Sequence, residues 1–166
     1  MEYLAKISET YKAYPKKWTY SYAKAEKTYP AAKKKVQAGK VTGTTCVVPI
    51  RWALRMMGLN PDGFYAKDGK FHGYDSDLKT KLKIYRKTGP VGYTIKQAID
   101  KGLLKPGDII AFKGRTHTVA YSGIGYKVYE GGHAALRAKL KNGILLDYSK
   151  NLTYRGKKIS SILRWK

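Results

Sequence analysis

The feature that most constrains the fold is a series of five short apolar segments, each bounded by turn residues, in the last third of the chain. They lie at residues 109–113, 117–122, 126–130, 143–148 and 159–165. Segments of this length, rich in β-branched and aromatic residues, are typical of strands. Helical patterns precede them, and this order predicts an α+β fold in which N-terminal helices pack on an antiparallel β-sheet of about five strands.

Helical patterns occupy much of the first hundred residues. They lie at residues 2–13, roughly 20–38, 47–59 and 95–101, with a loop-rich stretch at 60–93 that includes a short helical pattern through Leu78, Leu82 and Tyr85. The second pattern breaks or begins afresh near Pro30, since proline is tolerated only in the first turn of a helix. Thr44 or Thr45 can cap the third helix, and Thr94 can cap the fourth, which Gly102 ends.

The single cysteine of the chain, Cys46, stands directly before the third predicted helix. A thiol at a helix N-terminus experiences the positive end of the helix dipole, which favours the nucleophilic thiolate. The competing interpretation is a small buried hydrophobic residue. One cysteine also excludes an internal disulfide and any zinc site built from several cysteines. Cys46 is therefore the candidate nucleophile.

The predicted strands contain two further candidates: a base, and a residue that would orient this base. His117 opens the second strand, and a cysteine on a helix tip with a histidine on a strand is the arrangement of papain-like thiol enzymes. Glu130 closes the third strand and is the only carboxylate between residues 109 and 146. Because these two strands form a hairpin, we expect Glu130 beside His117, where it would orient the imidazole. Alternatively, Glu130 neutralises a nearby cation, or His133 takes its place.

The chain is strongly basic. It carries 34 Lys and Arg against 11 Asp and Glu, a formal net charge of +23 that is spread along its whole length. Charge of this sign attracts polyanions such as nucleic acid, anionic lipid or the teichoic acids of a bacterial wall. The run Lys33-Lys34-Lys35 fits a solvated helix face better than a nucleic-acid tail. We therefore expect an anionic partner without specific nucleic-acid recognition.

The 166 residues suit a single domain, which we expect to be a monomer. No stretch approaches the ~20 apolar residues of a membrane span. The polar N-terminus does not resemble a secretory signal. To reach a cell wall, the protein would therefore be released in the manner of a phage lysin, use another export route, or be part of a longer protein.

Four segments follow one another in a characteristic order. They are Cys46 at the head of a helix ending Gly58-Leu59-Asn60-Pro61, residues 104–112 with their Pro-Gly-Asp turn, residues 117–123, and residues 128–132. Together they resemble the NlpC-type family of bacterial cell-wall hydrolases. Their order along the chain is that of the family, and the resemblance makes residues 41–166 an NlpC-like core behind a helical portion at 1–40. Thr45 and Val47-Val48 stand where family members commonly carry Asp and Ser-Gly around the cysteine. Family members usually carry His, Asn or Gln at the third position of the site; here that position is Glu130, an acidic choice that resembles phage and Gram-positive variants.

The resemblance implies a papain-like fold and a cysteine peptidase or amidase that cuts an amide bond in the peptide stem of peptidoglycan. Cys46 would attack the carbonyl, His117 would transfer the proton, and Glu130 would be the third member of the site. No metal or cofactor is implied. The basic surface would hold the protein at the bacterial cell wall by binding its anionic polymers. The alternatives are a papain-like acyltransferase and a non-enzymatic basic protein that binds nucleic acid or teichoic acid, with Cys46 buried.

Overall fold

The computed structural model describes residues 2–72 and 76–166. The prediction of a loop-rich stretch at 60–93 includes residues 73–75, which lie outside the described residues. The chain divides into two compact units, each assembled from two separate stretches. The first unit comprises Met1–Leu59 and Tyr129–Leu146, and the second comprises Asn60–Val128 and Asp147–Lys166.

The secondary structure of the described residues follows a helix-rich first third and a strand-rich remainder. The helices are α1 (Glu2–Ala13), α2 (Tyr29–Gln37), α3 (Val48–Met56), α4 (Ser76–Lys81), α5 (Ile95–Asp100) and α6 (His133–Arg137). The strands are β1 (Trp18–Tyr20), β2 (Thr42–Thr44), β3 (Tyr65–Lys67), β4 (Lys70–His72), β5 (Leu82–Tyr85), β6 (Ile109–Phe112), β7 (Thr118–Tyr121), β8 (Lys127–Tyr129), β9 (Leu145–Asp147) and β10 (Ile159–Trp165).

Local capping signals explain where two of the helices begin. The hydroxyl of Thr28 accepts a hydrogen bond from the backbone N–H of Ala31, and Pro30 lies in the first turn of α2. The helix predicted at 20–38 therefore exists only in its second half. Thr94 and Gln97 form a reciprocal capping box at α5, which confirms the prediction for that helix.

The start of α3 departs from the prediction. Its N-cap is Val47, and no side chain caps it. Thr44 instead donates from Oγ1 to the carbonyl of Gly131 at 2.8 Å and shares a 2.6 Å hydrogen bond with the hydroxyl of Tyr11. The hydroxyl of Thr45 is buried and has no hydrogen-bond partner within the described residues. The expected threonine cap on α3 is therefore wrong.

The core of the first unit is an aromatic cluster between α1 and α3. The rings of Tyr11 and Trp18 stack with centroids 3.9 Å apart. Trp52 on α3 is 1% exposed and lies about 6 Å from both rings. Its indole N–H donates to the carbonyl of Glu26 at 2.8 Å. Large rings bury much apolar area per residue, so this cluster fixes α1, β1 and α3 together.

A six-stranded antiparallel sheet follows the helices, in the order β5-β10-β6-β7-β8-β9. All five strands predicted in the last third are present, which confirms the α+β class. The sixth is β5, at residues where the pattern predicted a continuous helix; α4 ends at Lys81 and the chain becomes extended from Leu82. Strand β10 lies between β5 and β6, paired with both in antiparallel register.

The Pro-Gly-Asp turn before β6 has a structural role in the second unit. Asp108 is 1% exposed, and its carboxylate forms a bidentate pair with the guanidinium of Arg164 on β10 at 2.6 and 2.8 Å. It also accepts from the backbone N–H of Lys105. Gly107 has φ +91°, a conformation that favours glycine. The motif therefore ties the start of β6 to the strand beside it.

Candidate active site

The nucleophile candidate lies at a bend between two elements of the first unit. Cys46 is partly exposed and follows β2, two residues before α3 begins. Strand β2 pairs in parallel with β1, and this register sets Tyr20 opposite Thr44. The pairing of β1 with β2 therefore places Tyr20 beside the segment that leads to Cys46. The competing interpretation of a fully buried cysteine does not fit this exposure.

The carboxylate of Glu130 is buried in the same unit. Glu130 is 1% exposed, and its Oε1 accepts from the backbone N–H of Gly132 at 2.9 Å. A Cβ atom at Gly132 would lie 2.6 Å from that oxygen and 3.5 Å from Cβ of Cys46. A Cβ at Gly131 would lie 2.8 Å from Oγ1 of Thr44. The Gly131-Gly132 pair therefore allows the end of β8 to approach the cysteine segment closely.

Tyr20 shares this environment. Burial, followed by the negative charges that Cys46 and Glu130 can carry, raises the pKa of Tyr20 above its usual value. Its hydroxyl therefore stays protonated and can act as a hydrogen-bond donor at neutral pH. The ring stacks on the imidazole of His133, with centroids 3.6 Å apart and planes at 20°. His133, the alternative third member, is thus an exposed residue that stacks on the half-exposed ring of Tyr20.

The candidate base lies in the second unit, directly before β7. His117 is 8% exposed, and its Nε2 is 2.7 Å from the hydroxyl oxygen of Tyr148. Its imidazole stacks on the ring of Tyr154 at 4.1 Å and lies 5.8 Å from the ring of Phe112. An aromatic enclosure and one hydroxyl therefore fix the plane of the imidazole.

This enclosure has an electrostatic consequence. Burial lowers the pKa of His117 from its ordinary 6.5 to about 4, because an apolar environment disfavours the charged imidazolium. His117 is therefore neutral at neutral pH, with one ring nitrogen able to accept a proton.

The three predicted site residues are distributed over both units: Cys46 and Glu130 belong to the first and His117 to the second. The role of Glu130 in orienting His117 stays a prediction. Sequence reasoning missed Tyr148, whose hydroxyl contacts the imidazole across a separation of 31 residues. It also gave no role to Gly132, although the Gly-Gly pair directly after Glu130 is a readable signal of close backbone approach.

Within residues 2–72 and 76–166, no group of three or more His, Cys, Asp or Glu side chains is arranged to hold a metal ion. Among the helices of those residues, none has the length and apolar character needed to cross a membrane. Comparison with protein-family models, with curated proteins and with solved structures finds no match to this chain.

Proposed function

We propose that this chain is a papain-like cysteine hydrolase that cuts an amide bond in the peptide stem of peptidoglycan. The observation that carries the proposal is the setting of Cys46. The thiol is partly exposed at the entry to α3, and a buried carboxylate and a tyrosine hydroxyl lie in its environment. A structural cysteine has no need of polar groups around it, whereas a nucleophile that must form and stabilise a charged intermediate does.

The proposed reaction is acyl transfer in two steps. The sulfur of Cys46 bonds to the amide carbon while its proton passes to His117, and the C–N bond then breaks as the amine leaves with that proton. Water next adds to the thioester, which releases the carboxylic acid and restores the thiol. The neutral state of His117 suits the first step, since only a neutral imidazole accepts a proton.

The third group has to support the imidazolium that forms during each step. In the proposal this is Glu130, a carboxylate whose position is fixed by the backbone N–H of Gly132. Burial alone lowers the pKa of His117 in the free protein, and a carboxylate beside the imidazole would favour its protonated form when the thiol proton is transferred. The pairing of Glu130 with His117 is expected from their order along the chain. Substitutions of Glu130 test it.

The charge of the chain supports a bacterial cell wall as the place of action. A net charge of +23 attracts anionic wall polymers over long range. Screening at ~0.15 M ionic strength limits the reach of exposed charges to about 8 Å. Lysis of whole walls should therefore decline steeply as salt rises, whereas cleavage of a small soluble stem peptide should decline far less. Equal decline for both substrates would remove the wall-binding role of the basic surface.

The decisive experiment is digestion of purified peptidoglycan followed by mass analysis of the fragments, with wild-type protein and with Cys46→Ala. The wild type should release new amine and carboxylate ends at one type of stem bond, and the variant should release none while keeping its melting temperature. Alkylation of Cys46 at neutral pH should block the wild type. Cleavage by Cys46→Ala at a comparable rate would overturn the thiol mechanism, and amine-trapped products in place of hydrolysed ones would identify a transferase.

A further inference from the structure

The first unit contains a cavity of about 550 Å³ with a basic rim and an apolar floor. Its size lies within the range of small-ligand sites. Its lining divides by chemistry into an apolar set, Pro15, Trp18 and Leu136, which we call the floor, and a cationic set, Lys16, Lys139 and Lys141, which we call the rim. We refer to this cavity as the lysine pocket. It combines apolar surface with cationic hydrogen-bond donors, which suits a ligand that has both a small apolar portion and a negative charge.

The three lysines are available to a ligand. Within residues 2–72 and 76–166, none of them forms an ion pair with a carboxylate. The lining of the lysine pocket contains no acidic residue. Three like charges around one cavity repel one another, and this repulsion is relieved when an anion binds among them. The electrostatics of the pocket therefore favour a carboxylate or another small anionic group.

The backbone on one side of the pocket is held in an uncommon conformation. Lys139 and Leu140 both have φ near +54°, a left-handed region that residues other than glycine adopt at a cost in free energy. Leu140 is 1% exposed and anchors the turn in the core. Nearby, the backbone N–H of Ile144 donates to the hydroxyl of Ser8 at 3.0 Å. Packing therefore fixes the turn that carries Lys139 and Lys141.

Two further residues connect the pocket to ligand binding and to the thiol. The indole N–H of Trp18 is buried and has no acceptor among the described residues. Tyr20 also lines the pocket, and it is the residue whose hydroxyl is influenced by the charges of Cys46 and Glu130. A ligand in the lysine pocket thus contacts the same aromatic ring that borders the cysteine.

We propose that the lysine pocket binds a carboxylate-bearing part of the peptide stem, next to the amide that Cys46 attacks; this inference rests on the proposed function. The apolar floor favours such a peptide over a wall phosphopolymer. A stem peptide carries small aliphatic side chains together with free carboxylates, and both find partners in the pocket. A phosphopolymer is charged and hydrated along its length, and would leave the apolar floor without a contact.

Binding and cleavage are measured separately to test this inference. The probes are a soluble stem tetrapeptide with free carboxylates and the same peptide with those carboxylates converted to amides. Calorimetry on the Cys46→Ala background avoids turnover. The test variant is Lys139→Ala with Lys141→Ala. The matched control is Lys113→Ala with Lys158→Ala, which removes the same charge from another basic cavity, in the second unit.

We expect the test variant, and the amidated peptide, to bind about tenfold more weakly or worse, since each removes charge-assisted hydrogen bonds. The control should change affinity less than twofold. In the active protein, the test variant should raise KM for the free tetrapeptide with little change in kcat. Equal effects of both variants, or no effect of amidation, would overturn the inference.

The outcomes separate this inference from the proposed function. Tetrapeptide binding that depends on Lys139 and Lys141, without cleavage of any stem bond, would keep the pocket and reject the hydrolase. Cleavage with an unchanged KM in the test variant would keep the hydrolase and reject the pocket. A glycerol-phosphate oligomer that binds more tightly than the tetrapeptide, and loses affinity in the test variant, would reassign the pocket to wall phosphopolymers.

Discussion

The carboxylate and the imidazole proposed for catalysis are held in place by different means. In the first unit, Glu130 depends on a backbone N–H and on the missing side chain of Gly132. In the second unit, His117 depends on the hydroxyl of Tyr148 and on stacking against Tyr154. One position is set by close backbone approach and the other by aromatic packing.

The difference predicts how each group responds to change. A residue held by close backbone contacts is sensitive to added volume, because the backbone cannot move away cheaply. A titratable residue enclosed by aromatic rings is sensitive to its own protonation, because its apolar environment cannot solvate an ion. The carboxylate should therefore be disturbed mainly by steric variants of the glycines, and the imidazole mainly by pH and by loss of its polar partner.

Among the variants that probe this difference, the largest effect should come from His117→Gln, which keeps a polar side chain but removes the base. We expect kcat/KM on a soluble stem peptide to fall about 10²–10⁴-fold, the usual contribution of general acid–base catalysis. The melting temperature of the variant at pH 8 serves as the control for folding. Activity within threefold of the wild type would show that another group transfers the proton.

The next effect concerns stability at low pH. Because burial lowers the pKa of His117 to about 4 from 6.5, the unfolded chain binds more protons than the folded one between these values. The free energy of unfolding should therefore fall as the pH drops through this window, by roughly 3 kcal/mol from this residue alone.

Urea unfolding between pH 7.5 and 3.5 measures this dependence. The His117→Gln variant should lose most of the slope between pH 6.5 and 4, while sharing with the wild type the contributions of all other groups. Parallel curves for the two proteins would mean that the enclosure does not keep the imidazole neutral.

A steric variant probes the first unit. Gly132→Ala places a methyl group 2.6 Å from Oε1 of Glu130, and should lower the free energy of unfolding by about 1–3 kcal/mol together with activity. Gly156→Ala is the matched control, since no atom lies within 4 Å of its added carbon; it should change the free energy by less than about 0.5 kcal/mol. Similar losses in both variants would argue against close approach at Gly132.

The smallest effects on activity should come from substitutions of the residues that are candidates for supporting the imidazole of His117. Glu130→Gln should lower kcat about tenfold by removing charge support for the imidazolium, and Glu130→Ala should lower it further. Tyr148→Phe, which deletes one neutral hydrogen bond, should lower it only several-fold. His133→Ala should stay within about twofold, because an exposed stacked ring is worth little. If His133→Ala proves the most damaging, the third member of the site is misassigned.

The sequence predicted the elements that local patterns specify. The five strands from residue 109 onward and the Thr94 cap of α5 are confirmed because alternation and capping act over a few residues. The parallel pair β1 and β2 has only three residues in each strand, too few for a periodic signal. The helix predicted from about residue 20 begins only at Tyr29, because Thr28 caps it and Pro30 fits only its first turn.

The site was predicted less completely than the fold. Cys46 is partly exposed directly before a helix, which the apolar run after it predicted, although no threonine caps that helix. The contact between His117 and Tyr148 could not be predicted, since the two residues are far apart in sequence and Tyr148 follows a strand whose neighbours are set by the whole sheet. Non-local contacts of this kind carry no signature in a single sequence.

The interior position of β10 has a consequence for biosynthesis. This strand consists of residues 159–165 and pairs with β5 on one side and β6 on the other, so it leaves the ribosome after both of the strands that it joins. Until then the edges of β5 and β6 have no partner, and open strand edges promote association between chains. Nascent chains that stall shortly before residue 159 should therefore aggregate and require chaperones.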